Sequence, residues 1–382
     1  MNSNFILMIA GEPSGDVQGG KLVAAIKKMS SDITITGIGG DNMEAAGMEL
    51  LQHIREMSFL GFSEVIKHLP FIRKLMNELT EWIEINRPET VVLIDYPGFN
   101  LRFAKKAKEL GCRIVYYISP QIWAWGAGRI KKISRLIDQM IVVFPFEEEL
   151  YKSAGVKVDF VGHPILEGLN SDLSREDFFE KHGLGIDNPV IGLLPGSRTQ
   201  EVENLYLPMI EAIELMKREL PNLQTVTGVS PTLHENLYLN IEAGQGLEHS
   251  TETYGVMQHS DLLFVASGTA TLESACLGTP MIIVYKVSSI SWLLGKMLVK
   301  LKNIGLVNIG AGETVVPELL QSIVTGTRLA SEGLSMLGDK TRMEDTIKKL
   351  LMVKDSLGKT GASQRAAEII VNRISPENDN KD

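Results

Sequence analysis

Residues Asp261 to Tyr285 read DLLFVASGTATLESACLGTPMIIVY. Leu262 to Ala266 is an unbroken apolar run, the pattern of a strand buried on both faces of a parallel sheet. Ser267-Gly268-Thr269 ends it. Thr269 is the expected N-cap of a helix from Ala270 to Leu277, which Gly278 and Pro280 stop. Met281 to Tyr285 is the next strand. A βαβ unit this short sets the helix N-terminus at the carboxyl edge of the sheet, where free N–H groups and the helix dipole favour an anion such as phosphate. Gly268 lets a ligand approach the backbone. Glu273 lies one turn on from Thr269, placed to accept the hydroxyls of a ribose. An ordinary β–α turn with a surface glutamate is the competing reading.

Working outward, Val190 to Leu194 is a second buried strand, and it delivers Pro195-Gly196-Ser197-Arg198. Ser197 at a helix start with the forked Arg198 guanidinium beside it suits a diphosphate. Two such strand ends in one sheet, 195–198 and 267–269, point to a nucleoside-diphosphate site built from Gly196, Ser197, Arg198, Ser267, Gly268, Thr269 and Glu273. Upstream, Ile165 to Pro189 is polar and reads as the linker between two domains. Downstream, Ser289 to Lys302 sets Trp292 and five further apolar residues among lysines, a basic amphipathic helix suited to a membrane surface or a partner helix, with an ordinary surface helix as the alternative. Asn308 follows, then a helix expected from Pro317, and a polar tail from Ser375 expected to lack order.

The first half repeats the alternation of β and α. Phe5 to Ala10 is a strand followed by the loop Gly11 to Asp16, whose carboxylates suit sugar hydroxyls better than phosphate. Ser14 or Asp16 capping the next helix is the plainer reading. The spacing of a dinucleotide fingerprint is absent. Thr90 to Ile94 delivers Asp95 to a strand's carboxyl end, where apolar surroundings raise the pKa of a carboxylate and fit it to act as a general base; capping the helix 101–110 is the alternative. Arg113 to Ile118 leads into Ser119 to Trp125, where Trp123 and Trp125 suit a sugar face or an acyl chain. Arg129 then opens a basic helix face for a phosphate. Between Met57 and Ile85, Phe62, Val65, Ile66 and Leu69 lie among basic residues, the composition of an interfacial or acyl-binding segment; a core helix broken at Pro70 is the alternative.

The whole sequence has 382 residues, enough for two domains. Its net charge of −9 argues against broad nucleic-acid binding, so an anionic partner needs a local basic patch. Cys112 and Cys276 sit far apart in apolar contexts, which fits a reducing compartment. The N-terminal apolar run is short and has no basic flank, and no run reaches transmembrane length. A cytoplasmic protein, soluble or peripheral on a membrane, is expected.

Read together, GEPSGD at Gly11, IDYPGFN at Ile94, SPQIWAW at Ser119, LPGSR at Leu194, SGTATLE at Ser267 and the run from Asn308 to Gln321 occur in an order that resembles the lipid-A-disaccharide synthase family. The resemblance covers almost the whole chain and is specific as a set. It implies an α/β protein of two Rossmann-like doubly wound domains facing a cleft, the GT-B glycosyltransferase fold. Residues 1–165 would bind the acylated acceptor, 166–350 the UDP-sugar, and a helix at 351–374 would return to the first domain ahead of a tail at 375–382. The implied reaction is inverting transfer from UDP-2,3-diacylglucosamine to 2,3-diacylglucosamine 1-phosphate, without metal or cofactor. Asp95 matches the proposed general base. Glu12, Arg198, Glu273 and Asn308 match substrate-binding positions. Acyl chains would meet the 59–72 segment, and the Trp292 helix would rest on the cytoplasmic face of the inner membrane. Gly126 stands where the family usually carries a basic residue, with Arg129 placed to compensate. Gly98 replaces a common second carboxylate, leaving Asp95 alone in its loop. The sequence leaves open the oligomeric state, a homodimer included. Two further readings share the architecture: a UDP-sugar 2-epimerase, and a UDP-sugar binding protein without catalysis.

Overall fold

The computed structural model describes residues 5–56, 69–125, 128, 130–169, 171–242, 244, 246–287, 292 and 303–374. The chain divides into two compact units, Met1–Pro164 with Leu357–Asp382, and Ile165–Ser356.

The first unit holds a sheet of β1 (Phe5–Ala10), β2 (Thr34–Gly39), β3 (Glu49–His53), β4 (Thr90–Ile94), β5 (Arg113–Tyr117), β6 (Gln139–Val142) and β7 (Val158–Phe160). Its order is β3-β2-β1-β4-β5-β6-β7, and every pairing is parallel. Past their first residues the inner strands are buried, as their largely apolar runs require when helices cover both faces. Strand order reverses between β1 and β4, whose ends align at Ala10 and Ile94. The loops leaving those two ends therefore diverge and open a crevice at the carboxyl edge.

The second unit repeats the plan with β8 (Val190–Leu194), β9 (Gln224–Gly228), β10 (Glu248–Ser250), β11 (Leu262–Ala266), β12 (Met281–Tyr285) and β13 (Glu318–Leu320). The order β10-β9-β8-β11-β12-β13 is again wholly parallel, with its reversal between β8 and β11. The two stretches 195–198 and 267–269 thus leave the two sides of one crevice.

Several expectations need correction. The stretch after Pro317 is no helix. Glu318–Leu320 is the edge strand β13, because parallel pairing of Ile283 to Tyr285 with Glu318 to Leu320 overrides local propensity. The C-terminal 351–374 helix is two helices: Lys340–Ser356 ends in the second unit, and Ala362–Ile374 packs on Pro13–Met29 in the first. Between them the Leu357 carbonyl accepts from the His163 N–H (2.8 Å), and the Arg365 guanidinium donates to the carbonyls of Val161, Lys359 and Thr360. Those bonds pull the chain out of helical register. The Gly11–Asp16 loop is shorter than its sequence suggests, since the helix starts at Pro13. Asp16 caps a helix other than its own. Buried, it accepts from the backbone N–H groups of Gly40, Asn42 and Met43 and from the Asn42 amide, closing the start of Asp41–Ala45.

Phe62, Val65 and Ile66 lie outside the described residues, as do the Leu69 side chain, Gly126, Arg129 and the neighbours of Trp292, itself helical and half-buried. Pro70 stands near the start of the described helix Leu69–Asn86, and the residues before it lie outside the described ones. There Phe71, Ile72 and Met76 pack against the core around Leu75, Leu79 and Ile83. The plain core reading holds for that end of the segment. None of the described helices is long and apolar enough to cross a membrane.

Candidate active site

At the first crevice, β4 ends in a turn of two consecutive left-handed residues, Asp95 (φ 45°) and Tyr96 (φ 47°), before Pro97–Glu109 begins. Neither is glycine, and one such residue already costs of order 1 kcal/mol. The Asp95 N–H donates to the Tyr117 carbonyl (3.0 Å), tying the turn to β5. The Tyr96 ring lies over Gly11. A Cβ on Gly11 would stand 2.1 Å from that ring, so only glycine admits it.

Asp95 is half-buried, and its carboxyl is pushed up to about 7. Burial is the main cause, and the negative charge of Glu12 at the end of β1 adds to it. Glu12 precedes the Pro13–Met29 helix without capping it through its side chain. Two carboxylates thus face one crevice, one of them tuned to exchange protons near neutral pH. Ser14 is exposed in the first helical turn. Gly98 sits in the first turn of Pro97–Glu109, where an added Cβ would meet nothing within 4 Å. Gly98→Asp is therefore expected to stabilise the fold by about 1 kcal/mol, from helix propensity and the helix dipole, as thermal unfolding would record.

Next to this crevice, the loop after β5 is held by a residue that sequence reasoning passed over. Glu147 is buried, and its carboxylate accepts from the Ser119 hydroxyl (2.6 Å), the Trp123 indole N–H (3.1 Å) and the Phe144 N–H (3.3 Å). Burial pushes it up to about 7 against the pull of those three bonds. In sequence it is one acid among three in FEEEL, with nothing to mark it as buried. Its bonds fix Trp123, which stands edge-on to Phe146 at 5.4 Å.

At the second crevice the two helix starts differ. Glu201 folds back on its own helix, Thr199–Glu219, accepting from the N–H groups of Ser197 (3.0 Å) and Arg198 (3.3 Å) and from the Arg198 guanidinium (3.1 Å). Gly196 makes this possible: φ is 127°, and a Cβ would stand 2.5 Å from Glu201. The N-terminus expected to take phosphate at 196–198 is therefore filled by a carboxylate, and exposed Arg198 is left to act through its guanidinium. The Thr269–Leu277 start is open. Gly268, not Thr269, is its N-cap; it carries no side chain, and a Cβ there would meet nothing within 4 Å. Arg198 and Ser267 line one cavity of about 460 Å³ with Asn204, Tyr285 and Lys286. Glu273 accepts from the Tyr254 hydroxyl (3.0 Å), which orients its carboxylate.

Asn308 contradicts its expected role. It is fully buried, its NH₂ donating to the Val316 carbonyl (2.9 Å) and Glu318 (2.7 Å), its Oδ1 accepting from the N–H groups of Val315 (2.7 Å) and Val316 (3.0 Å). All four bonding positions are used, so it supports the approach to β13 and offers nothing to a ligand.

Residues 6–372 match the lipid-A-disaccharide synthetase family. The chain belongs to that family. A lipid-A-disaccharide synthase from Syntrophus aciditrophicus is 42% identical over 379 residues, covering 98% of this chain and 99% of its own. One from Geobacter metallireducens is 40% identical, covering 97% of each. Among solved structures, the UDP-GlcNAc 2-epimerase of Neisseria meningitidis bound to UDP-GlcNAc has a TM-score of 0.64 at 13% identity, over 96% of this chain and 100% of its own. The calicheamicin glycosyltransferase CalG4 has 0.63 at 14%, over 98% and 100%. At those identities the likeness is one of fold alone, the two-domain fold of GT-B glycosyltransferases and UDP-sugar epimerases. Family membership in the lipid-A-disaccharide synthases is what separates glycosyl transfer from epimerisation here.

Proposed function

We propose that the chain transfers the sugar of UDP-2,3-diacylglucosamine to the 6-hydroxyl of 2,3-diacylglucosamine 1-phosphate, inverting the anomeric centre and releasing UDP. Asp95 accepts the hydroxyl proton as the oxygen attacks the anomeric carbon. The bond from that carbon to the diphosphate breaks, and the electron pair leaves with UDP. Arg198 and the open N-terminus at Gly268 take up the charge that develops on the diphosphate. Glu273 holds the nucleoside ribose. Glu12 keeps the base from ionising too readily and is available to the acceptor's hydroxyls. The observation that carries this reading is Asp95 held at a strand end with its carboxyl near 7, in a chain of this family.

Acylated substrates require an apolar path, and the apolar and basic segments at 59–69 and 289–302 supply the composition for one. With them the enzyme works peripherally on the cytoplasmic face of the inner membrane. The test is product analysis by mass spectrometry with both acylated substrates: a disaccharide 1-phosphate and UDP in equal amounts are expected. No product, with UDP still bound, would overturn the reading. Arg198→Ala is expected to weaken UDP binding by about 1.5–3 kcal/mol, the size of a charge-assisted bond. Titration calorimetry checks this, and unchanged affinity would remove Arg198 from the diphosphate site.

A further inference from the structure

The strained turn at Asp95 is held in place by two residues that make no other visible contribution to the site. Asn100, fully buried in the Pro97–Glu109 helix, turns its NH₂ back toward the strand end. It donates to the Ile94 carbonyl at 3.1 Å and to the Asp95 carbonyl at 2.8 Å. Tyr116, fully buried in β5, donates its hydroxyl to the same Asp95 carbonyl. Two donors from two elements therefore converge on the carbonyl that a left-handed residue turns away from the sheet ladder.

The cost of this arrangement is visible at the same residue. The Asn100 Oδ1 is buried and has no hydrogen-bond partner among the described residues. A buried orphan carbonyl is uncommon, and hydrophobic packing alone would favour an apolar residue there. The orphan persists because only the other half of the amide is used. The same turn contains two adjacent non-glycine residues with positive φ, and Ile118 at the end of the neighbouring strand adds a third (φ 61°). Strain concentrated at one strand end persists only where its surroundings over-determine it.

We propose that Asn100, seconded by Tyr116, is a positioning residue for the base: it locks the Asp95 backbone in the left-handed turn that aims the carboxylate into the crevice. This rests on the assignment of Asp95 as base in the proposed function. Without the clamp, the turn relaxes toward ordinary backbone angles. The carboxylate then leaves its half-buried position beside Glu12, so both its aim and its proton affinity change.

The experiment is steady-state kinetics of the full chain with both acylated substrates, for wild type, Asn100→Ala and Tyr116→Phe, across pH 5 to 9. Asn100→Ala is expected to lower kcat by more than about tenfold while KM for each substrate stays within about twofold, the pattern of a lost transition-state interaction. Its acidic limb is expected to move below that of wild type, toward the ordinary carboxylate range. Tyr116→Phe keeps the ring and removes one donor, so a smaller loss in the same direction is expected. It decides the matter if Asn100→Ala does not fold. Either variant with wild-type kcat and an unmoved acidic limb overturns the positioning role, even if its Tm falls. A wild-type chain without transfer activity overturns the functional reading instead, which keeps the two failures apart.

Discussion

Asp95→Asn is expected to lower kcat by about 10²–10⁴-fold, the usual contribution of a positioned general base, and to leave UDP affinity within about twofold. The substitution keeps the size of the side chain and its left-handed backbone, which asparagine tolerates. It removes only the proton acceptor. Because UDP is assigned to the other unit, calorimetry should not register the change; comparable loss of turnover and affinity would refute the base role. The pH profile carries an independent sign. A base with its carboxyl raised to about 7 is charged only above that pH, so wild-type kcat/KM should fall below about pH 7 instead of near 4. Stability runs the other way. The folded state holds the proton more tightly than the unfolded chain, whose carboxyl lies near 3.8. The fold therefore loses stability as pH rises between those values, and above about 7 it bears the whole cost of a charged Asp95. Asp95→Asn should then raise Tm at pH 8 and change it little at pH 3.

The second large effect is on stability. Asn308→Ala is expected to destabilise the second unit by about 3–5 kcal/mol, because four bonds end on its buried amide and each orphaned group costs about 1–3 kcal/mol. Asn308→Asp should be as harmful. It keeps the two acceptors for Val315 and Val316 but turns a carboxylate toward Glu318, which already accepts from Ile304 and Gly305. Denaturant unfolding followed with and without UDP separates this from a ligand role. A variant of wild-type stability that no longer binds UDP would restore Asn308 to the substrate site.

What the sequence made readable was set by period and punctuation. β1, β4, β8 and β11 are unbroken apolar runs ending in polar or glycine-rich loops, so the strands and the residues at their carboxyl ends could be placed from local pattern alone. Residues whose role is tertiary were misread or missed. Asp16 looks like a cap for its own helix and caps another. Glu147 looks like surface and is a buried anchor. Glu201 takes N–H groups that looked free, and Asn308 looks like a ligand contact and is a bracket. β13 is three residues long and exists only because β12 offers it a partner. For Asp16, Glu147, Asn308 and β13 the deciding neighbour belongs to another element, which local pattern does not reveal; Glu201 is the exception, a capping-box glutamate three residues after Arg198 whose signal lies in the local sequence.

The return of the Ala362–Ile374 helix to the first unit fixes an order of events during synthesis. The second unit, Ile165–Ser356, is one continuous segment. It can collapse once its last strand and helices have left the ribosome. The first unit cannot finish. The helix that covers Pro13–Met29 is made more than three hundred residues later, and the Arg365 bonds to Val161, Lys359 and Thr360 come with it. Until Ala362–Ile374 has emerged, the Pro13–Met29 helix waits with the face that it will cover exposed. The first half of the polypeptide to be born is the last to be complete, and that interval is where a nascent chain of this architecture most needs a chaperone.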